Sequence, residues 1–335
     1  MRYILALILC FLPSFSIAQE WEDKQLFQGE NARKTLRVLS STDTAFFAPI
    51  VEQFLARNPD WSIEYLVTST AQIDQLLRED PDRFDIVISS AMDLQLKLVN
   101  DGFARALPGI AHPSWAQWRG RLFAFTTEPA TIVINKAAFN GKPIPQTRQE
   151  LILALRQEPD LFRGRIGTYD VRQSGLGYLF ATQDARASET FWRLTEIMGS
   201  LDARLYCCSG EMIDDVASGK LLVAYNVLGS YAATRQLNDD RFEIILPSDF
   251  PTMMMRTGFV SKHTQHPDAA EAFIQNMIDI QTSGAGAGSS RLPPLYQTSE
   301  TASPSVIVLE PALMTYLDKL KRRTFVKEWM NAVIQ

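Results

Sequence analysis

Twice along this chain, short runs rich in β-branched residues alternate with segments whose apolar residues recur at helical spacing. That double alternation is the pattern of strands feeding helices in an α/β protein. In the first series Thr35 to Ser40, Ser62 to Thr68 and Phe84 to Ile88 read as strands. Ala45 to Arg57, Ile73 to Arg78 and Met92 to Asn100 read as the helices between and after them. The β-branched character of the strands predicts a sheet covered on both faces. After Leu107 the pattern gives way to a loop punctuated by Pro and Gly, then to two extended runs, Leu122 to Thr127 and Thr131 to Asn135, interrupted by Glu128-Pro129.

The second series follows. Gln146 to Arg156 reads as helix, Gly164 to Tyr169 as strand, and Gly175 to Ser200 as one or two helices. Strands are expected near Ala203 to Tyr206, Leu221 to Tyr225 and Phe242 to Leu246, with helices at Met212 to Ala217 and Tyr231 to Leu237. The apolar run Met253 to Val260 returns the chain, and Asp268 to Ile280 and the stretch from Pro311 read as helices. Ser283 to Ser290 (SGAGAGSS) is expected to be a loop, because its glycines follow a helix rather than a strand and so do not form a dinucleotide fingerprint.

Two alternations imply two cores, and the chain has the size for them. Arg2, the apolar stretch Tyr3 to Leu12 and Ser16-Ile17-Ala18 have the order of a secretory signal peptide, so residues 1–18 are expected to be removed on the way to the periplasm. Cys10 follows Leu9 inside the apolar stretch, the wrong neighbour for a lipidated first residue. About 317 residues remain, more than one hydrophobic core usually organises. The formal charge is −5, or about −6 without Arg2, and outside KLKRR near the C-terminus Lys and Arg are dispersed, which argues against nucleic acid as a partner. Only Cys207 and Cys208 outlast processing. Adjacent cysteines provide no disulfide framework; they are either two partly buried small residues at a strand end or a vicinal disulfide that stiffens a loop.

Motifs for catalysis are missing: the sequence has no GxSxG, HExxH or GxxxxGK[ST], and its three histidines, His112, His263 and His266, do not assemble a metal-ligand spacing. The informative residues are small polar ones where strands end and helices begin, where helix N–H groups stand free to meet anionic oxygens. Ser40-Ser41-Thr42-Asp43, Ser89-Ser90 and Arg172-Gln173-Ser174-Gly175 are such places, and each is equally a simple helix cap. In open α/β sheets, ligands gather at the carboxyl ends of strands, so these loops are expected to converge. Ser209-Gly210 and Tyr225-Asn226, with Ser230-Tyr231, extend the series, and Arg172 would supply a bidentate clamp for phosphate or carboxylate.

The order of segments resembles the periplasmic solute-binding proteins of ABC uptake systems, in the subgroup that includes the ferric-ion-binding proteins. The resemblance is carried by TLRVLSSTDTAFFAPIVEQFLARNPDWSIEYL, RFDIVISSAMDLQLKLVNDG, FTTEPATIVINKAAF, SGLGY and SGKLLVAYNVLGSYA. It implies a type 2 periplasmic-binding-protein-like fold: two doubly wound α/β lobes joined by crossing hinge strands, near Thr126 to Ile132 and Pro247 to Arg256. Residues 19–127 and 255–335 would form the first lobe and 128–254 the second. Carried over residue by residue, the cleft would be lined by Ser41, Thr42, Ser90, Ser174, Gly175, Asn226 and Tyr231. Ferric-ion binders use two adjacent tyrosines in the region matching LGSYAATR, and here Tyr231 is followed by Ala232.

The resulting expectation is a monomeric, non-enzymatic receptor, without cofactor or metal, that captures a small organic anion and presents it to an ABC permease or to a membrane sensor histidine kinase. The kinase rests on the similarity of the tail YLDKLKRRTFVKEWMNAVIQ to a branch of the family. A ferric-ion receptor, a signalling-only accessory subunit and an enzyme built on Asp43 with Arg172 or Tyr231 are the alternatives.

Overall fold

A computed structural model describes residues 21–282, 290–295 and 305–334. The expected signal peptide and all but the last residue of the Ser283–Ser290 loop lie outside them.

The first series folds as β1 (Asp23–Gln28), β2 (Lys34–Ser40), α1 (Thr44–Arg57), β3 (Trp61–Val67), α2 (Thr70–Glu79), β4 (Ile86–Ser89), α3 (Met92–Asn100), β5 (Gln117–Trp118) and β6 (Leu122–Ala124). The second runs β7 (Glu128–Asn135), α4 (Arg148–Gln157), α5 (Pro159–Phe162), β8 (Ile166–Tyr169), α6 (Gly175–Ala187), α7 (Thr190–Ser200), β9 (Arg204–Tyr206), α8 (Ser209–Ala217), β10 (Val223–Leu228), α9 (Gly229–Gln236) and β11 (Phe242–Ile245). The chain returns through β12 (Met253–Met254) and β13 (Thr257–Val260) to α10 (Pro267–Thr282) and ends in α11 (Lys319–Val333).

These elements make two sheets. One has the order β1-β3-β2-β4-β13-β6-β5 and the other β11-β7-β10-β8-β9, with β12 paired to β7. In the first sheet β2 runs parallel to both β3 and β4, with Val38 beside Tyr65 on one side and Ile86 on the other. Strand β4 is buried along its whole length, as a strand covered on both faces must be. The helices lie on the sheets by their apolar stripes: in α1, Phe46, Phe47, Ile50, Val51, Phe54 and Leu55 are buried at i, i+3, i+4 spacing. Truncating a fully buried ring such as Phe47 would cost about 3–5 kcal/mol. The protein is thus a pair of doubly wound lobes with the type 2 periplasmic-binding-protein architecture.

The polypeptide passes between the sheets at two neighbouring places. It leaves the first after Ala124 and enters the second at Glu128, then goes back between Met254 and Thr257, where β12 pairs with the start of β7. The C-terminal tail, counted above with the first lobe, touches both. A 3-10 helical turn over Pro311–Leu317 lies beside α3, and the Tyr178 hydroxyl of α6 donates to the Tyr316 carbonyl at 2.5 Å. Helix α11 then packs on the second lobe, its Phe325, Trp329 and Val333 closing a cluster with Val171, Tyr178 and Phe191. Gly199 of α7 permits this approach, since a Cβ there would collide with the Ala332 carbonyl.

Candidate functional site

The loops that follow the strands of the two sheets face each other across a cavity of about 440 Å³, a size suited to a small solute. A second depression of about 620 Å³ beside α11 is lined by Trp192, Tyr316, Phe325 and their neighbours, away from the strand ends.

From the first lobe, Ser41 extends β2. Its N–H donates to the Ile88 carbonyl at 3.1 Å, and its hydroxyl accepts from the Ser90 N–H at 3.2 Å, which locks the two strand-end loops together. Both serines line the cavity, with Thr68, Ser69 and Thr70 from the end of β3. Thr42 is placed differently. Its side chain is fully buried behind the wall and accepts from the Arg256 guanidinium at 2.5 Å, so it supports the site rather than facing it.

From the second lobe, Ser174 caps α6 by accepting from the Gly177 N–H at 3.1 Å, and it lines the cavity. The Gly175 N–H donates across the gap to the Thr70 hydroxyl at 2.9 Å. A Cβ on Gly175 would press on Leu94 and Thr70, so a bare glycine lets the lobes approach this closely. Tyr231 makes the second bridge: its hydroxyl donates to the Asp43 carboxylate at 2.9 Å and accepts from the Asp43 N–H at 3.3 Å. Its ring stacks on Phe46 with centroids 4.4 Å apart. Burial raises the Tyr231 hydroxyl pKa, although the nearby Arg256 charge opposes the rise. With these bridges made, the lobes are closed on each other.

Gly175, like Thr42, does not line the cavity itself, and two further expected residues lie elsewhere. Arg172 does not line the cavity; it is 38% exposed and clamps Asp170 with two bonds of 2.8 and 2.6 Å, because the turn it sits on already holds a carboxylate two residues away. Asn226 sits at a bulge in β10 with φ of 63°, a left-handed backbone that Asn tolerates, and its side chain turns inward to Asp184 at 2.8 Å. Its neighbour Tyr225 also points into the lobe and donates to Asp184 at 2.7 Å.

Several lining residues were not singled out from the sequence. Arg256, between β12 and β13, is 1% exposed and reaches Glu128 through two bonds of 2.9 and 3.1 Å. Its third nitrogen holds Thr42, which leaves one N–H on each terminal nitrogen without a partner among the described residues. Burial opposes ionisation of Glu128. The Arg256 charge and hydrogen bonds from Arg256, Ser230 and Thr126 outweigh it, and they hold the carboxyl below its usual range. A lone arginine inside the apolar run MMMRTGFV was the available signal, since a charge in such a run is buried only if paired.

Tyr169 ends β8 and shares a short 2.5 Å bond with Ser209, whose hydroxyl also accepts from the Leu228 N–H at 3.0 Å. Cys207 and Cys208 are joined by a disulfide and line the same wall. The remaining charges at the cavity are mostly negative: Glu22, Asp23, Asp43, Glu211 and Asp214, against Arg235, which pairs with Asp214 at 3.2 Å. Burial, and then the charges of Asp43 and Glu211, push the Glu22 carboxyl up.

Most of the chain is similar to the substrate-binding protein of an ABC transporter from Agrobacterium tumefaciens. The two are 30% identical over 93% of this chain and 98% of that one, with a TM-score of 0.86. The periplasmic binding protein AfuA from Actinobacillus pleuropneumoniae, in a structure with exogenous fructose-6-phosphate bound, shares the fold at 14% identity and a TM-score of 0.70, over 90% of this chain and 99% of that one. Iron-bound HitA from Pseudomonas aeruginosa does so at 15% identity and 0.67, with the same coverage. No protein-family model matches the chain, and no curated protein does.

Proposed function

Because the chain belongs to the substrate-binding proteins of ABC transporters, we propose that it takes a small polar solute into the cavity between its lobes, in the periplasm, and hands it unchanged to an ABC permease. We assign the solute to the zwitterions that carry a phosphate or carboxylate and an amino group.

The observation behind this assignment is the division of charge across the cavity. Arg256 lies buried at it with two N–H groups free, among the hydroxyls of Ser41, Ser90, Ser174 and Ser209. Such donors suit an anionic head group. Glu22, Asp43 and Glu211 are exposed at the same cavity, which suits an amine. The plain organic anion favoured by the strand-end motifs keeps its head group in this reading. Without a positive charge it would face those three carboxylates uncompensated, and the arginine expected to neutralise it, Arg172, is bound to Asp170 outside the cavity.

Titration calorimetry tests the assignment with phosphoserine, phosphoethanolamine and glutamate set against amine-free glycerol phosphate and succinate. The amine-bearing compounds should bind at least about tenfold more tightly, a difference of roughly 1.4 kcal/mol. Equal affinity for the amine-free anions would return the solute to the simple anions. Failure of every compound, with a coloured complex formed on adding ferric citrate, would favour the ferric-ion reading. Delivery is tested in proteoliposomes, where loaded protein should stimulate the ATPase of its permease; activation of a sensor histidine kinase instead would reassign the membrane partner.

A further inference from the structure

We propose that the Cys207–Cys208 disulfide is a redox-sensitive part of the cavity wall: intact, it sets the turn that presents Ser209, Gly210 and Glu211, and its reduction by a dithiol loosens that turn. The proposal rests on reading this cavity as the solute site, and it concerns how the wall is held rather than what fills the space.

The placement of the two sulfurs carries the inference. Strand β9 is the last strand at its edge of the second sheet and ends at Tyr206, and α8 begins at Ser209, so the cystine is the whole connection between them. Both cysteines line the cavity, and so do the next three residues. Cys208 occupies the N-cap position of α8 with extended backbone and gives no side-chain hydrogen bond to the helix, so the turn lacks the ordinary capping bond that would hold it without the disulfide. Ser209 is the point at which the turn is fixed to the lobe, through Tyr169 on β8 and the Leu228 N–H at the end of β10. Closing a ring over one peptide bond removes backbone freedom immediately before that point.

Cys207 is exposed, so a reductant can reach it. A dithiol would attack one sulfur as its thiolate, release the other cysteine as a thiol through a mixed disulfide, and leave as its own cyclic disulfide. The protein gains two protons and two electrons, and the reductant loses them. The link between Tyr206 and Ser209 is then an ordinary peptide with two free thiols beside the solute.

Hydrogen exchange and thiol alkylation test this on the full protein secreted into an oxidising compartment. Iodoacetamide should add nothing before reduction and two groups after treatment with dithiothreitol. Reduction should speed amide exchange about tenfold at Cys208 to Glu211 and at Leu228, and leave β2 to β4 unchanged. The Cys207→Ser/Cys208→Ser double variant should exchange like the reduced protein and ignore dithiothreitol. Where that variant does not fold, reduction of the wild-type chain decides alone. Free thiols in the secreted protein, or exchange unaltered by reduction, would overturn the proposal. Failure of phosphoserine to bind in either redox state would instead overturn the zwitterion reading and leave the exchange result standing.

Discussion

Arg148 and Arg256 are equally hidden from solvent, each is paired with a carboxylate that is itself buried, and they hold together quite different things. Arg148 gathers one lobe. It reaches Asp184 and Asp249 at 3.1 Å, the Phe250 carbonyl at 3.1 Å and the Tyr225 hydroxyl at 2.6 Å, and its guanidinium lies 3.8 Å over the Phe250 ring. Arg256 gathers the junction between the lobes. Its backbone N–H donates to Thr126 and its side chain to Glu128 and Thr42, while Ser230 of α9 donates to Glu128 from the other side. Arg148 has four of its five guanidinium N–H groups bonded within its lobe, whereas Arg256 has three bonded and lines the cavity. A buried arginine–carboxylate pair is a rivet within a lobe in one place and joins the lobes beside the cavity in the other.

The strongest way to break this comparison is to remove Arg148. Arg148→Met strands Asp184 in the core and should cost about 3–5 kcal/mol, seen as a lower thermal midpoint in calorimetry, with solute affinity changed little in the protein that remains folded. A loss of affinity larger than the loss of stability would mean that the two networks are not separate.

Asp93 sharpens the contrast from the opposite side, as a buried carboxyl with no arginine of its own. Burial pushes it up to about 7, against the pull of the Leu94 N–H and the Arg322 charge, whereas Glu128, equally buried, is held low by Arg256. A carboxyl with a raised folded-state pKa stabilises the protein fully below its unfolded value, and that stability is lost as pH rises through the folded value. The wild type should therefore lose on the order of 2–4 kcal/mol between about pH 4 and pH 8 from this group. Asp93→Asn should remove that part of the slope in urea titrations at several pH values, and an unchanged slope would refute the assignment to Asp93.

The smallest expected change in stability is also the most telling. Arg256→Lys keeps the charge but loses the fork that grips Glu128, and should cost about 1–2 kcal/mol of stability. Calorimetry should show phosphoserine affinity falling by more than the tenfold that such an energy represents, because the free N–H groups go as well. An intact affinity would remove Arg256 from the solute site.

Much of the fold was legible because period and composition carry it. The strand read from Thr35 to Ser40 begins one residue earlier, and the apolar run from Gly175 to Ser200 divides into α6 and α7 at Ser188-Glu189. Strand β1 was not read, since DKQLFQ buries only Phe27 and so shows no alternation to find. At the site, Ser41, Ser90, Ser174 and Tyr231 were legible as polar residues at strand ends, and all four line the cavity. Arg172 and Asn226 looked the same in sequence, and only the partners they find, Asp170 and Asp184, draw them away. Pairings such as Arg256 with Glu128, or Arg148 with Asp184, depend on residues far apart in the chain. No local pattern announces them.

The tail gives the molecule a third attachment between its halves. Two adjacent strands on their own permit bending, twisting and sideways slip alike. A brace running from α3 across to α7, well away from those strands, resists twist and slip most, and leaves a single swing as the softest motion. The rim presented to a membrane partner would then differ between empty and loaded protein by one angle, a signal that a docking surface can read without touching the cargo.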